Sequence, residues 1–329
     1  MSLTDSVRNV ANSASERALG GNLLSAFRDW FLRRTFNFWQ ALSVHVTPNH
    51  FYAPIPDTRT LTDQVWSSSN EVAGLDLDEA GQLRRLADFE ASFGDEYRAF
   101  PRAATASPRD YFVNNRQFEG VDGEVLWCMV RSLRPRHVIE VGSGYSTRLL
   151  AQAAIANAGE GHPLDFVVID PFPSGTLRAG LPGVSRLIEQ RVQDVSASEF
   201  DSLGQDDILF IDSSHVLKIG SDVQFEYLDL LPRLKPGVVV HAHDIFLPAE
   251  YPRAWVMGMK RFWNEQYVLQ AFLAFNREFQ VLWGSSFMHL RQPERLEAAF
   301  PTYDRRRDWP ASFWFQRIAD TGDGPTRSD

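Results

Sequence analysis

Four short runs of apolar, largely β-branched residues recur between positions 137 and 240 with helical spacing between them. They are His137-Val138-Ile139-Glu140-Val141, Phe166-Val167-Val168-Ile169, Asp207-Ile208-Leu209-Phe210-Ile211 and Val238-Val239-Val240. Strands this short, and apolar on both faces, are what a parallel sheet needs when helices cover both of its sides. The intervening segments 146–158 and 223–234 read as those helices, and a shorter strand over 186–192 fits between the second and fourth runs. A helix over 123–133 precedes the first strand, with Val125, Leu126, Met129, Val130 and Leu133 on one face. The tail adds a helix over 254–276 and strands over 279–283 and 312–317. Together these predict an α/β fold, a seven-stranded doubly wound Rossmann-like sheet behind an N-terminal helical cap.

The division expected is a cap and oligomerisation segment over 1–110, a sheet domain over 111–320 and a disordered tail over 321–329. Residues 1–22 are rich in Ser, Asn and Ala and are expected to fray. The apolar series from Leu23 to Leu42 has helical spacing, with Arg28, Arg33 and Arg34 set among Phe27, Trp30, Phe31, Phe36 and Phe38. Such a helix either lies on a membrane surface or docks on protein; docking, through a homo-oligomer or the body, is favoured because a lone short helix is marginal in water. Three prolines within 48–57 predict extended chain, and 78–93 a further helix. The excess of acids, 42 Asp and Glu against 33 Lys and Arg, argues against a nucleic-acid partner. No apolar run approaches the roughly 20 residues of a membrane span and no signal peptide opens the chain, so the expected location is cytoplasmic. The single cysteine, Cys128, lies in an apolar run and excludes both a disulfide framework and cysteine-bound zinc.

Glu140-Val141-Gly142-Ser143-Gly144-Tyr145-Ser146-Thr147 stands where the first strand turns into a helix. Glycines there let the backbone approach a ligand, the helix start offers free N–H groups, and Asp170 at the end of the next strand suits ribose hydroxyls. A dinucleotide site wants a third glycine where Thr147 stands and has no use for Glu140, whereas an acid there can meet a ligand's ammonium group. The motif resembles the acid-x-Gly-x-Gly of class I S-adenosylmethionine-dependent methyltransferases. More narrowly it looks like a bacterial small-molecule subfamily, methyltransferase family 24, with Glu-Val-Gly-Ser-Gly-x-Ser-Thr here and Ile-Asp-x-x-His after the fourth strand. The likeness covers roughly 111–247 and the last strand. It implies that Glu140, Gly142, Ser143 and Gly144 cradle the methionine part and that Ser146 or Thr147 adds a hydroxyl. It further implies that Asp170 holds the ribose, that Asp194 approaches the adenine and that Asp212 borders the cofactor.

The second constellation is Asp212-Ser213-Ser214-His215 with His241-Ala242-His243-Asp244, both at C-terminal strand ends where open α/β sheets bind ligands. Asp212, His215 and His243 are the candidate catalytic groups, with His241 open between site and core. The positions resemble the magnesium site of catechol O-methyltransferase-like enzymes, which implies Asp212, His243 and Asp244 as ligands of one divalent metal, magnesium or a transition metal. An imidazole in the set departs from magnesium's preference for oxygen, so a histidine base acting without metal competes with that reading. The expected reaction is methylation of a hydroxyl on a small molecule of natural-product, aromatic or sugar-bearing type, with Phe246, Tyr251, Trp255, Phe262, Trp263 and Tyr267 as candidate walls of the acceptor pocket. A non-catalytic protein holding S-adenosylmethionine and a nicotinamide-dependent oxidoreductase are the alternatives.

Overall fold

The structure is a computed structural model and describes residues 26–67 and 71–318. The frayed segment expected at 1–22 and the tail at 321–329 lie outside the described residues. The chain forms two compact units, 1–62 and 63–329. In the first unit residues 26–41 are helical, as the apolar spacing predicted, and Phe27, Trp30, Phe31, Phe36 and Phe38 on it are exposed.

The second unit is built on a seven-stranded sheet. Its strands are β1 His137–Val141, β2 Asp165–Ile169, β3 Arg186–Ile188, β4 Ile208–Ile211, β5 Val239–Ala242, β6 Phe279–Gly284 and β7 Phe313–Arg317. Their order is β3-β2-β1-β4-β5-β7-β6, parallel from β3 to β5, with β7 antiparallel to both β5 and β6. The order reverses at β1, which lies between β2 and β4, so ligands are expected beyond the carboxyl ends of β1 and β4. Ile208, Leu209, Phe210 and Ile211 of β4 are fully buried, which explains a run with no polar alternation.

The helices are α1 Glu79–Arg98, α2 Asp122–Leu133, α3 Tyr145–Gly159, α4 over 222–233, α5 Glu265–Leu273, α6 Ser285–Arg291 and α7 Pro293–Ala299. Helix α1 packs on α2 and on α7: Trp127 Nε1 and Arg131 Nε both donate to Glu96 (2.7 and 3.0 Å), and Tyr97 Oη donates to the Ala299 carbonyl (3.0 Å). That packing places α1 within the compact unit that begins at Asp63. Cys128 is buried inside α2, where burial pushes its thiol well up and leaves it inert.

Two elements differ from the periodicity. The helix predicted over 254–276 is interrupted: Ala254–Gly258 is a π turn, and α5 starts only at Glu265. Between them Lys260 turns left-handed (φ 58°), and Asn264 spends its side chain accepting from the Leu217 amide at 2.6 Å. Helix α4 contains a π segment over Phe225–Leu230, a geometry that recurs at functional sites, and it buries the adjacent Glu226 and Tyr227.

Candidate active site

The turn from β1 into α3 admits one backbone path. Gly142 has φ 88°, and a Cβ there would stand 2.0 Å from the Asp212 carbonyl oxygen. A Cβ on Gly144 would meet only Gln117, at 3.9 Å, so that glycine faces open space. Thr147 Oγ1 accepts from the Gly144 amide (2.9 Å), and Ser146 Oγ donates to Glu140 Oε1 (2.7 Å). Glu140 is fully buried and its Oε2 has no hydrogen-bond partner. Burial pushes its carboxyl up to about 8 even though Ser146 and Thr147 favour the charge. Ser143 Oγ donates to Asp170, which also accepts from the Phe172 amide (2.7 Å). A cavity of about 360 Å³ opens here, lined by Gln117, Ser143, Gly144, Thr147, Phe172 and Leu177.

These features fit S-adenosylmethionine. A glycine with nothing over it admits a ligand close to the backbone, and an orphaned buried carboxylate oxygen suits an ammonium group. Of the residues expected to hold the cofactor, Ser143, Gly144 and Thr147 line this cavity, while Glu140, Gly142, Ser146, Asp170 and Asp194 do not; Asp194 is exposed and paired with Arg191 (2.7 Å).

The second constellation gathers around a larger cavity of about 820 Å³, whose floor includes Asp122, Asp212, His243 and Asp244. His215 and Asp244 both hold left-handed backbone (φ 60° and 55°), a conformation that costs a non-glycine residue free energy and clusters at functional sites. His215 is buried, and its Nδ1 lies 2.8 Å from Glu265 Oε2, which fixes the ring. Tyr227 Oη donates to the other oxygen of Glu265 (2.7 Å). His215 Nε2 then faces Asp212 Oδ1 and Asp244 Oδ2, each at 3.5 Å. Burial opposes a charge on His215, but hydrogen bonds to Asp212 and Glu265 and the charge of Asp244 outweigh it and hold its pKa well above the usual value. Asp212 answers in kind: burial works to raise it, while His243 and His215 hold it below the usual carboxylate range.

His243 is buried, with Nε2 3.9 Å from Asp244 Oδ1 and no hydrogen-bond partner at Nδ1. Burial works to lower its pKa, and the charges of Asp244, Asp212 and Asp122 reverse that and raise it. His241 belongs to the core: it is fully buried, stacks on Phe210 (centroids 3.8 Å apart) and shares a hydrogen bond with Ser312 (2.9 Å). Burial, with His243 beside it, holds its pKa well below the usual value.

The metal set Asp212, His243 and Asp244 does not assemble as a cation cage. Among the described residues no group of three or more His, Cys, Asp or Glu is placed to hold a metal. The two carboxylates converge instead on the locked imidazole of His215. As placed, Asp212, His243 and Asp244 are not gathered around a common point.

Three groups at the site carry no motif. Glu265 fixes His215; Asp122 accepts from the Ala311 and Ser312 amides (2.8 and 3.0 Å); Glu226, fully buried, accepts from Ser213 Oγ (2.9 Å). The available signal for Glu265 was faint: an acid between Asn264 and Gln266, with Trp263 before them and Tyr267, Val268 and Leu269 after.

The model of a family described as a methyltransferase domain matches residues 139–245, the span from β1 to the residue after Asp244. An uncharacterized protein from Archaeoglobus fulgidus is 31% identical over 164 residues, covering 47% of this chain and 72% of that protein. Among solved structures, CmcI with SAH is 15% identical, covering 68% of this chain and 91% of that one, with a TM-score of 0.35. The plantazolicin methyltransferase BamL, with SAH and a triazolic desmethylPZN analog, is 13% identical, covering 74% and 100%, with a TM-score of 0.37. With the glycine turn, the orphaned acid at the end of β1 and the carboxylate after β2 all inside the matched span, the chain belongs to the class I S-adenosylmethionine-dependent methyltransferases.

Proposed function

We propose that this methyltransferase acts on a hydroxyl group of a small aromatic molecule, with His243 as the base. One observation carries the reading: Gln117 lines both cavities, so the space beside the Gly142–Gly144 turn and the space over Asp212, His243 and Asp244 meet at a single residue. Methyl transfer requires donor and acceptor to be aligned at close range, and orientation supplies much of the rate.

S-adenosylmethionine supplies an electrophilic methyl group on a sulfonium. The chain's own residues do the rest. His243 lines the acceptor cavity, and the carboxylates around it raise its pKa, so it is the group there suited to take the hydroxyl proton. His215 does not line that cavity; clamped by Glu265, it supplies positive charge that orients Asp212 and Asp244. Phe246, Trp255 and Trp309 give the cavity aromatic walls that suit a planar acceptor and exclude water.

The test offers deuteromethyl-labelled S-adenosylmethionine with a panel of phenols and catechols, and follows methyl ethers by mass spectrometry. Labelled ethers that survive exhaustive chelation, and fall by about a hundredfold or more in His243→Ala, are the expected outcome. Binding of S-adenosylhomocysteine with no transfer to any hydroxyl would overturn the reading. Turnover abolished by chelation and restored by magnesium would return the aspartates to a metal.

A further inference from the structure

Many arginines in the sheet domain are answered by a carboxylate or a carbonyl. At the acceptor cavity Arg307 is held by Asp308, with N···O distances of 2.7 and 2.9 Å. Arg261 is different. It lines the same cavity, is exposed, and makes no hydrogen bond or ion pair among the described residues. Its guanidinium lies instead over two indoles, 5.0 Å from the ring centroid of Trp255 and 4.9 Å from that of Trp263. Stacking of this kind restrains a guanidinium while leaving its N–H edge free, the arrangement that receives a carboxylate or phosphate in bidentate fashion. A second arginine on the same cavity, Arg116, likewise has no anionic partner for its side chain among the described residues.

Asp122, Asp212 and Asp244 lie on the floor with His243, Arg307 and Asp308 are paired with each other, and Glu119, Arg116 and Arg261 complete the charged lining, the two arginines exposed. An acceptor carrying an anion is repelled from that floor and drawn to the arginines, which turns its neutral end inward. The reach is also fixed. The Trp263 ring that supports Arg261 touches the His215 ring as well, at 4.4 Å between centroids. One indole therefore spans the gap between the free guanidinium and the histidine that orients the aspartates.

We infer that the acceptor is an anionic hydroxy compound: a carboxylate or phosphate bound by Arg261, one aromatic ring away from the hydroxyl that receives the methyl group. The inference rests on the methyltransferase reading above for the word acceptor, while the anion site itself rests on Arg261, Trp255 and Trp263.

Matched probes test it by calorimetry on the full chain, with and without S-adenosylhomocysteine. The probes are 3,4-dihydroxybenzoate against its neutral amide, and 3-hydroxyphenyl phosphate against 3-hydroxyphenyl methyl ether. At least one anion is expected to bind tenfold or more tightly than its neutral partner. The two pairs tell carboxylate from phosphate. Arg261→Gln is expected to erase the preference and Arg261→Lys to keep part of it, both leaving S-adenosylhomocysteine affinity within twofold of the wild type. Equal binding of anion and neutral partner, no binding of any probe, or a preference that survives Arg261→Gln would each overturn the proposal. Loss of S-adenosylhomocysteine affinity in Arg261→Gln would reassign the arginine to the cofactor and overturn it too. Wild-type protein that fails to bind S-adenosylhomocysteine would instead sink the methyltransferase reading, since the anion preference is read in either state.

Discussion

At the scale of single residues, the site depends on conformations that few side chains tolerate. Gly142 joins a positive φ to a contact that leaves no room for a methyl group. Gly142→Ala is therefore expected to cost about 1–3 kcal/mol in urea unfolding, with weaker S-adenosylhomocysteine binding because the Asp212 backbone must retreat. A stability change under about 0.5 kcal/mol would show that the turn relaxes freely. His215 and Asp244 hold left-handed backbone without being glycine, and each places its side chain against the other. The histidine inside β5 and the one just beyond its end show how environment divides like residues. His241, stacked on Phe210 and bonded to Ser312, is kept neutral by burial, while His243, one strand step further, faces three carboxylates and has its pKa raised.

At the scale of elements, what was legible in the sequence is what periodicity and turn chemistry record. The runs at 137–141, 166–169 and 208–211 become strands because they are apolar on both faces, and the glycine turn stands where a strand had to become a helix. Asp212, His243 and Asp244 meet because each ends or follows a neighbouring parallel strand, a consequence of topology that a run of letters foreshadows. Glu265 escaped, since it reaches His215 from fifty residues away through a helix whose start depends on Asn264 leaving the helical path to cap the Leu217 loop. The metal expectation came from a resemblance; nothing in the spacing records that His215 would occupy the point where Asp212 and Asp244 converge. Asp122, at the start of α2, joins two elements distant in sequence by accepting from both amides that precede β7. Asp122→Ala leaves those buried donors unanswered and is expected to lower stability by about 2 kcal/mol or more in urea unfolding. A loss below about 0.5 kcal/mol would mean that water replaces the carboxylate.

For the molecule as a whole, buried acids set the response to pH. Burial raises Glu124 to about 7 and Glu140 to about 8, from ordinary values near 4.5. A carboxyl whose folded pKa is raised binds its proton more tightly in the fold, so its stabilising contribution is complete below about pH 4.5 and is lost as pH climbs through the folded value. Stability is thus expected to fall between about pH 5 and 8, by at most about 1.4 kcal/mol per pH unit for each such group. Glu140→Gln should flatten that slope, as thermal unfolding across the range will register; an unchanged slope would place Glu140's titration elsewhere.

The position of β7 has a consequence for how the enzyme is made. Five parallel strands and β6 precede it in the chain, yet β7 lies between β5 and β6 and brings with it the loop bearing Arg307, Trp309 and Ala311. A chain emerging from the ribosome thus has its glycine turn long before the larger cavity is complete. Until the last strand is threaded, β5 and β6 each present a bare edge to neighbouring molecules. A chain that stops before Phe313 leaves those two edges unpaired and the larger cavity without Trp309 and Ala311 in place, and is expected to aggregate more readily than the finished protein.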